Sequence, residues 1–266
     1  MPSRPSLRDG QRSVPSPFDS SWRKVARAKK HIADLEGEVS TFVDSDPYLI
    51  LEEHDPNVPG QKTCKLKPAK ILPVSIADIA ADAIHNLRDS LDAAGYSIAV
   101  TVGVIRPKHT AFPFGCSAID FRRNMKGRSK DIPVDVRNFI ETFQPYRGGN
   151  DFLWALNDLC NTIKHGTGLV AVGFGSVLGE FGISKGKIID IPLHTWNSAK
   201  QEIVLGTFSA DAKYDMELSP YIAFDEPSII QGQPLVGTLN VFVDTVEGIL
   251  RDLRSECLRL FPAAFS

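Results

Sequence analysis

The sequence predicts an α+β fold: mainly a helical bundle of four long helices, with a small antiparallel β-rich insertion at about 169–225 and a short β-hairpin at about 48–72. Three observations predict it. Four stretches repeat apolar residues at steps of three and four, the period of an amphipathic helix. One block is dense in β-branched and aromatic residues broken by glycine, asparagine and lysine. Two short extended runs flank Asp55-Pro56-Asn57-Val58-Pro59-Gly60, a turn-rich punctuation.

Residues 1–17 are rich in proline and serine without an apolar period, and are expected to form a disordered tail. Residues 18–266 are then a single domain, with the bundle at 18–168 and 235–261. From Asp19, Trp22, Val25, Ala26, Ile32, Leu35, Val39 and Phe42 mark a helix to about Val43, ended by Asp46-Pro47. Tyr48–Glu53 and Cys64–Leu72 are the arms of the hairpin. Ser75, with Asp78 three residues on, is expected to cap a helix to about Ala99, whose stripe is Ile76, Ala80, Ala83, Leu87, Leu91, Ala94 and Ile98.

Two shorter helical runs follow near 118–126 and 133–143. Asp151–His165 is the next strong helix, with Phe152, Leu156, Leu159 and Ile163 on one face and Gly166 as its stop. Leu169–Phe174, Lys187–Pro192, Gln201–Phe208 and Tyr214–Phe224 are expected to be antiparallel strands. The last helix, about Leu235–Leu260, presents Leu239, Phe242, Val246, Ile249, Leu253, Cys257 and Leu260.

Composition narrows the function. The 266 residues are 42% hydrophobic, and thirty basic against thirty-two acidic residues leave a net charge of −2, which excludes a globally basic nucleic-acid clamp. No stretch has the ~20 apolar residues of a membrane span, and the N-terminus has no apolar core of a secretory signal. The four cysteines lack CxxC spacing, which fits a reducing cytoplasm and predicts neither a zinc site nor a cofactor. Gly173 to Gly179 is too loose a match to a phosphate loop, since no helix evidently follows it.

Three constellations could carry chemistry. Asp78, Asp82, His85, Asp89 and Asp92 form a ladder on one face of the second helix, either a divalent-cation site or a solvated face with local pairs such as Arg88 to Asp92. Asn161 and His165 share a face near the end of the third, with Asp158 one turn earlier and Lys164 alongside; the alternative is a last turn whose Lys and His meet the negative end of the helix dipole. The first helix is basic at Arg23, Lys24, Arg27, Lys29 and Lys30 and acidic towards its end, opposing its dipole. An antiparallel second helix would bring Asp89 and Asp92 to the basic half. Alternatively the basic half could contact phosphates, with Arg122, Arg123, Lys126, Arg128 and Lys130 as a second cluster.

The segment from Asp82 to Asp92, with His85-Asn86-Leu87-Arg88 at its centre, is paired with the helix end Asn161-Thr162-Ile163-Lys164-His165. Together they resemble a group of uncharacterised bacterial proteins and, more distantly, the higher-eukaryote-and-prokaryote nucleotide-binding (HEPN) helical bundles. The resemblance covers the helices, about half the chain. Many members of that superfamily are metal-independent RNA-cleaving toxins or defence proteins that pair two sites across a dimer. It therefore implies RNA as partner, a homodimer, His165, Asn161 and Lys164 as catalytic residues, and Arg88 and His85 as substrate-binding residues. The superfamily's arginine, separated from the histidine by four to six residues, is absent here: Cys160, Leu159 and Asp158 stand five, six and seven places before His165, leaving Lys164 or a residue from elsewhere to meet the phosphorane charge. The expected function is RNA binding or a degenerate endoribonuclease. The alternative is a non-enzymatic oligomerisation or protein-interaction module.

Overall fold

The computed structural model describes residues 17–54, 58–165, 172–193 and 196–265. The expected 1–17 tail up to residue 16, the glycine stop after His165 and the first residues of the strand placed at Leu169–Phe174 lie outside them. The class is α+β, and every named strand pairs antiparallel. Among the described residues no helix is long and apolar enough to cross a membrane.

Three helices are long: α1 (Asp19–Val43), α2 (Val74–Thr101) and α6 (Leu235–Leu260), with α5 (Asp151–His165) shorter at 15 residues. The shorter α3 (Ala118–Gly127), α4 (Val134–Glu141) and α7 (Pro262–Phe265) complete the described helices. α2 is the hub. Ile76, Ala80, Ala83, Leu87, Leu91, Ala94 and Ile98 are fully buried, and α1, α5 and α6 all lie against it. Burying each such leucine is worth about 1.5–3 kcal/mol. Phe152 of α5 meets Phe242 of α6 with ring centroids 4.4 Å apart.

α1 and α2 run antiparallel. Lys24 reaches Asp89 at 3.3 Å near one end, and the Ser75 hydroxyl donates to Glu38 at 2.7 Å at the other. The buried stripe of α1 is Val25, Ala28, Ile32 and Leu35, so Ala28 rather than Ala26 carries it; the step of three from Val25 keeps to the inner face. Ser75 is not the cap of α2. Pro73 precedes the first turn, no side chain caps it, and the Ser75 hydroxyl is spent on α1. At the acidic end of α1, the Lys70 ammonium donates to the Ser45 carbonyl, so a cation from the next segment meets the negative end of the dipole.

The hairpin and the β-rich block are not separate. β1 (Tyr48–His54) and β2 (Gln61–Pro68) join β4 (Ile188–Asp190) and β6 (Glu202–Ser209) in one sheet of order β1-β2-β6-β4, with β5 (Trp196–Asn197) on β6. β2 alternates buried Lys62, Cys64 and Leu66 with less buried Thr63, Lys65 and Lys67 and is flanked on both sides. Its pairing with β6, Cys64 opposite Gly206, spans a separation along the chain that no local pattern announces.

β3 (Val172–Lys185) and β7 (Lys213–Phe224) form a second, two-stranded sheet. β3 runs on past the glycines between Gly173 and Gly179, with its register on β7 shifting between Leu178 and Phe181 and between Ile183 and Lys185. A Cβ on Gly173 would stand 2.5 Å from the Trp196 ring, and one on Gly175 2.3 Å from the ring of Tyr221. These glycines are where aromatic side chains lie flat on the strand.

Candidate functional site

A polar cleft of about 280 Å³ opens between α2, the segment 111–116, α3 and α5. Its floor is set by Arg88. Leu87 and Leu91 bury the neighbouring face of α2, which turns the Arg88 side chain toward α5 and the 111–116 segment; it is only 11% exposed. Its guanidinium is fully directed. Nε donates to Asn157 Oδ1 at 2.9 Å, Nη1 to Asp92 Oδ1 at 2.6 Å and Nη2 to the Phe112 carbonyl at 3.3 Å, with the Phe114 ring centroid 4.5 Å away. Asp92 Oδ1 also accepts from the Phe112 amide at 2.8 Å. One arginine thus ties α2, α5 and the extended segment together through the fork geometry that lysine lacks.

The 111–116 wall stands close because α2 carries Gly95 where the chain passes. A Cβ there would meet the Thr110 carbonyl oxygen at 2.2 Å. The segment is then stitched to α3: Asn124 Nδ2 donates to the Phe114 carbonyl at 2.7 Å, and Ser129 Oγ to the Ala111 carbonyl at 2.6 Å. Ser117 caps α3 by accepting from the Asp120 amide, and the Asp120 carboxylate accepts from the Cys116 amide and pairs with Arg123. Arg123 and Arg128 are exposed on this wall.

The opposite wall is α5, whose first turn is anchored by Asn150 Oδ1 accepting from the Leu153 amide at 2.9 Å. Trp154, Asn157, Asp158 and Asn161 face the cleft along it. The Arg147 guanidinium lies 5.3 Å from the Trp154 ring centroid. Burial raises the Asp158 carboxyl above the ordinary aspartate value, and the Arg147 charge only partly opposes this. Among the described residues neither Asp158 nor Asn161 makes a side-chain hydrogen bond. The cleft therefore offers a half-buried acceptor and a free amide beside two exposed guanidiniums.

Of the residues singled out in the sequence, Arg88, Asp158, Asn161, Arg123 and Arg128 line this cleft. His85 and Lys164 do not line it. His85 is half-buried with Nε2 buried and unpartnered among the described residues, and Lys164 sits beside Cys160, where its charge counters the rise that burial imposes on the thiol. His165 ends α5, but its side chain lies outside the described residues. The acidic ladder is divided among partners: Asp89 goes to Lys24 and Asp92 to Arg88. Among the described residues no three His, Cys, Asp or Glu groups converge on a metal position.

Sequence reasoning missed Trp154, Asn157, Asn124 and the whole 111–116 wall. Asn157 alone carried a signal, four residues before Asn161 on the same face. Comparison of the chain with protein-family models, with curated proteins and with solved structures found no match.

Proposed function

We propose that the protein binds single-stranded RNA through this cleft, and that α1, α2, α5 and α6 form a HEPN-like bundle around it. The observation that carries the proposal is the convergence of Asn161, Asn157 and Asp158 with Arg123 and Arg128 on facing walls. Phosphate binding needs guanidiniums that water can reach, and base recognition needs free amide and carboxylate groups set back from them. A cleft of about 280 Å³ has room for about one nucleotide and none for a duplex. Binding is proposed rather than cleavage, because the cleaving role falls on His165. The test is a titration of a fluorescein-labelled single-stranded RNA into the protein and its Asn161→Ala variant. Weaker binding by the folded variant is expected; equal binding removes the cleft from the function.

A second function, oligomerisation as a homodimer or interaction module, has its own observation. β1 is an edge strand of its sheet, and it exposes Leu49, Ile50 and Leu51 in succession. Unpaired edges with apolar side chains invite another chain to add to the sheet. Light scattering on the protein and on Ile50→Lys distinguishes it: a dimer that the variant converts to a monomer supports this function, and a monomer throughout removes it.

A further inference from the structure

We infer that the cleft selects guanine, with the Asp158 carboxylate taking the N1–H and N2–H donors of the base and the Asn161 amide donating to O6. This rests on the RNA-binding proposal and adds to it the base that the cleft reads.

Asp158 and Asn161 are three residues apart on α5, which sets their Cβ atoms about 5–6 Å apart on one helix face. Both line the cleft, and among the described residues neither is committed to a hydrogen bond. The carboxylate offers two acceptor oxygens side by side and the amide one N–H edge, giving the sequence acceptor, acceptor, donor along the wall.

Guanine presents the complement on its Watson–Crick edge: the N2 amino group, N1–H, then the O6 acceptor. No other standard base has two adjacent donors there. Adenine pairs its amino group with the lone pair of N1, cytosine with that of N3, and uracil holds one N–H between two carbonyls. Each would point at least one lone pair at the carboxylate. Asp158 is half-buried, so a mismatched base that displaces the water on its oxygens leaves it unpaired.

The opposite wall supplies the rest of the nucleotide site. Among the described residues Arg128 bears no ion pair and Arg123 holds Asp120; both guanidiniums are exposed on the wall facing α5, where a phosphate attached to a base seated against α5 would meet them. Arg88 keeps Asn157 turned to itself, which leaves Asp158 and Asn161 as the uncommitted pair.

The experiment uses the full chain and three labelled pentamers, UUGUU, UUAUU and UUIUU, where I is inosine, which lacks the N2 amino group. Guanine is expected to bind about tenfold more tightly than adenine, with inosine between them. Asp158→Asn, isosteric and expected to fold, should bring the guanine and adenine pentamers to the same affinity, because an amide accepts only one of the two donors. Equal affinity of the unaltered protein for all three pentamers overturns the guanine assignment and leaves RNA binding standing. Retention of the preference by Asp158→Asn also overturns it. Failure of every pentamer to bind overturns both proposals.

Discussion

Arg88 on α2 and Asn157 on α5, 69 residues apart in the chain, meet at 2.9 Å through the Nε–H of one and the Oδ1 of the other. The contact fixes the distance between the helix that anchors the core and the helix that lines the cleft. Arg88→Ala leaves Asp92, Asn157 and the Phe112 carbonyl without their shared donor at the floor of the cleft. It is expected to cost about 2–3 kcal/mol in denaturant unfolding and to weaken RNA binding. Arg88→Lys should restore little of either, since an ammonium cannot serve both side chains and the Phe112 carbonyl in the same plane.

Leu87, beside Arg88, is fully buried at the hub of the helices. Leu87→Ala is expected to lower stability by about 2–5 kcal/mol, the range for a leucine deleted from a core that relaxes only in part. Chemical denaturation at neutral pH measures it.

Gly95 sets the width of the cleft from behind. Gly95→Ala places a methyl where the Thr110 carbonyl oxygen now stands, so the 108–114 stretch has to move off α2. A loss of about 1–3 kcal/mol is expected, with weakened RNA binding even though the substituted position touches no ligand. Unchanged stability would show that the stretch is not held against α2 at this point.

Asp158 carries a cost that its removal should reveal. Burial raises its carboxyl above the ordinary value near 3.8, so the folded chain holds that proton more tightly than the unfolded one. The contribution to stability is full below the unfolded value and is lost as pH rises through the folded value. At pH 7 the half-buried charge is therefore a liability, and Asp158→Asn is expected to raise the melting temperature while impairing recognition. Below pH 3.8 the advantage of the variant should disappear. Stability gained where function is lost is the usual mark of a site residue.

Glu52 gives the opposite sign. The Tyr214 hydroxyl donates to it at 2.5 Å, and Lys62 lies at 2.9 Å; the tyrosine hydrogen bond first, opposed by burial and then reinforced by Lys62, holds its carboxyl below the ordinary value near 4.5. The stabilisation is present above that value and is lost as pH falls through the lower folded value. Glu52→Gln should thus be less stable than the unaltered protein at pH 7 and converge with it in acid, as followed by thermal melts across pH.

The stripe of α2 was legible in the sequence because each buried residue repeats at three or four and nothing else competes for that face. Arg88 was legible as the partner of Asp92 four residues on, and Asn161 as the residue that shares a helix face with His165. The wall at 111–116 was not, since an extended segment held by Asn124 and Ser129 has no period to detect. The pairing of β2 with β6 was hidden for a related reason: alternation reports which face is buried, not which strand lies alongside. Ala26 and Ala28 show the limit within a helix, where a residue as small as alanine sits on either face and only the neighbours decide.

In the proposed function single-stranded RNA sits in the cleft with its phosphates on Arg123 and Arg128. This placement is tested most directly by the salt dependence of binding in the protein and in the Arg123→Ala/Arg128→Ala double variant. Both arginines are exposed, so the variant should fold. The expected result is weaker binding, with the slope of log K against log salt shallower by about 1.4, or 0.7 for each lost phosphate contact. An unchanged affinity and slope in the double variant would contradict the account.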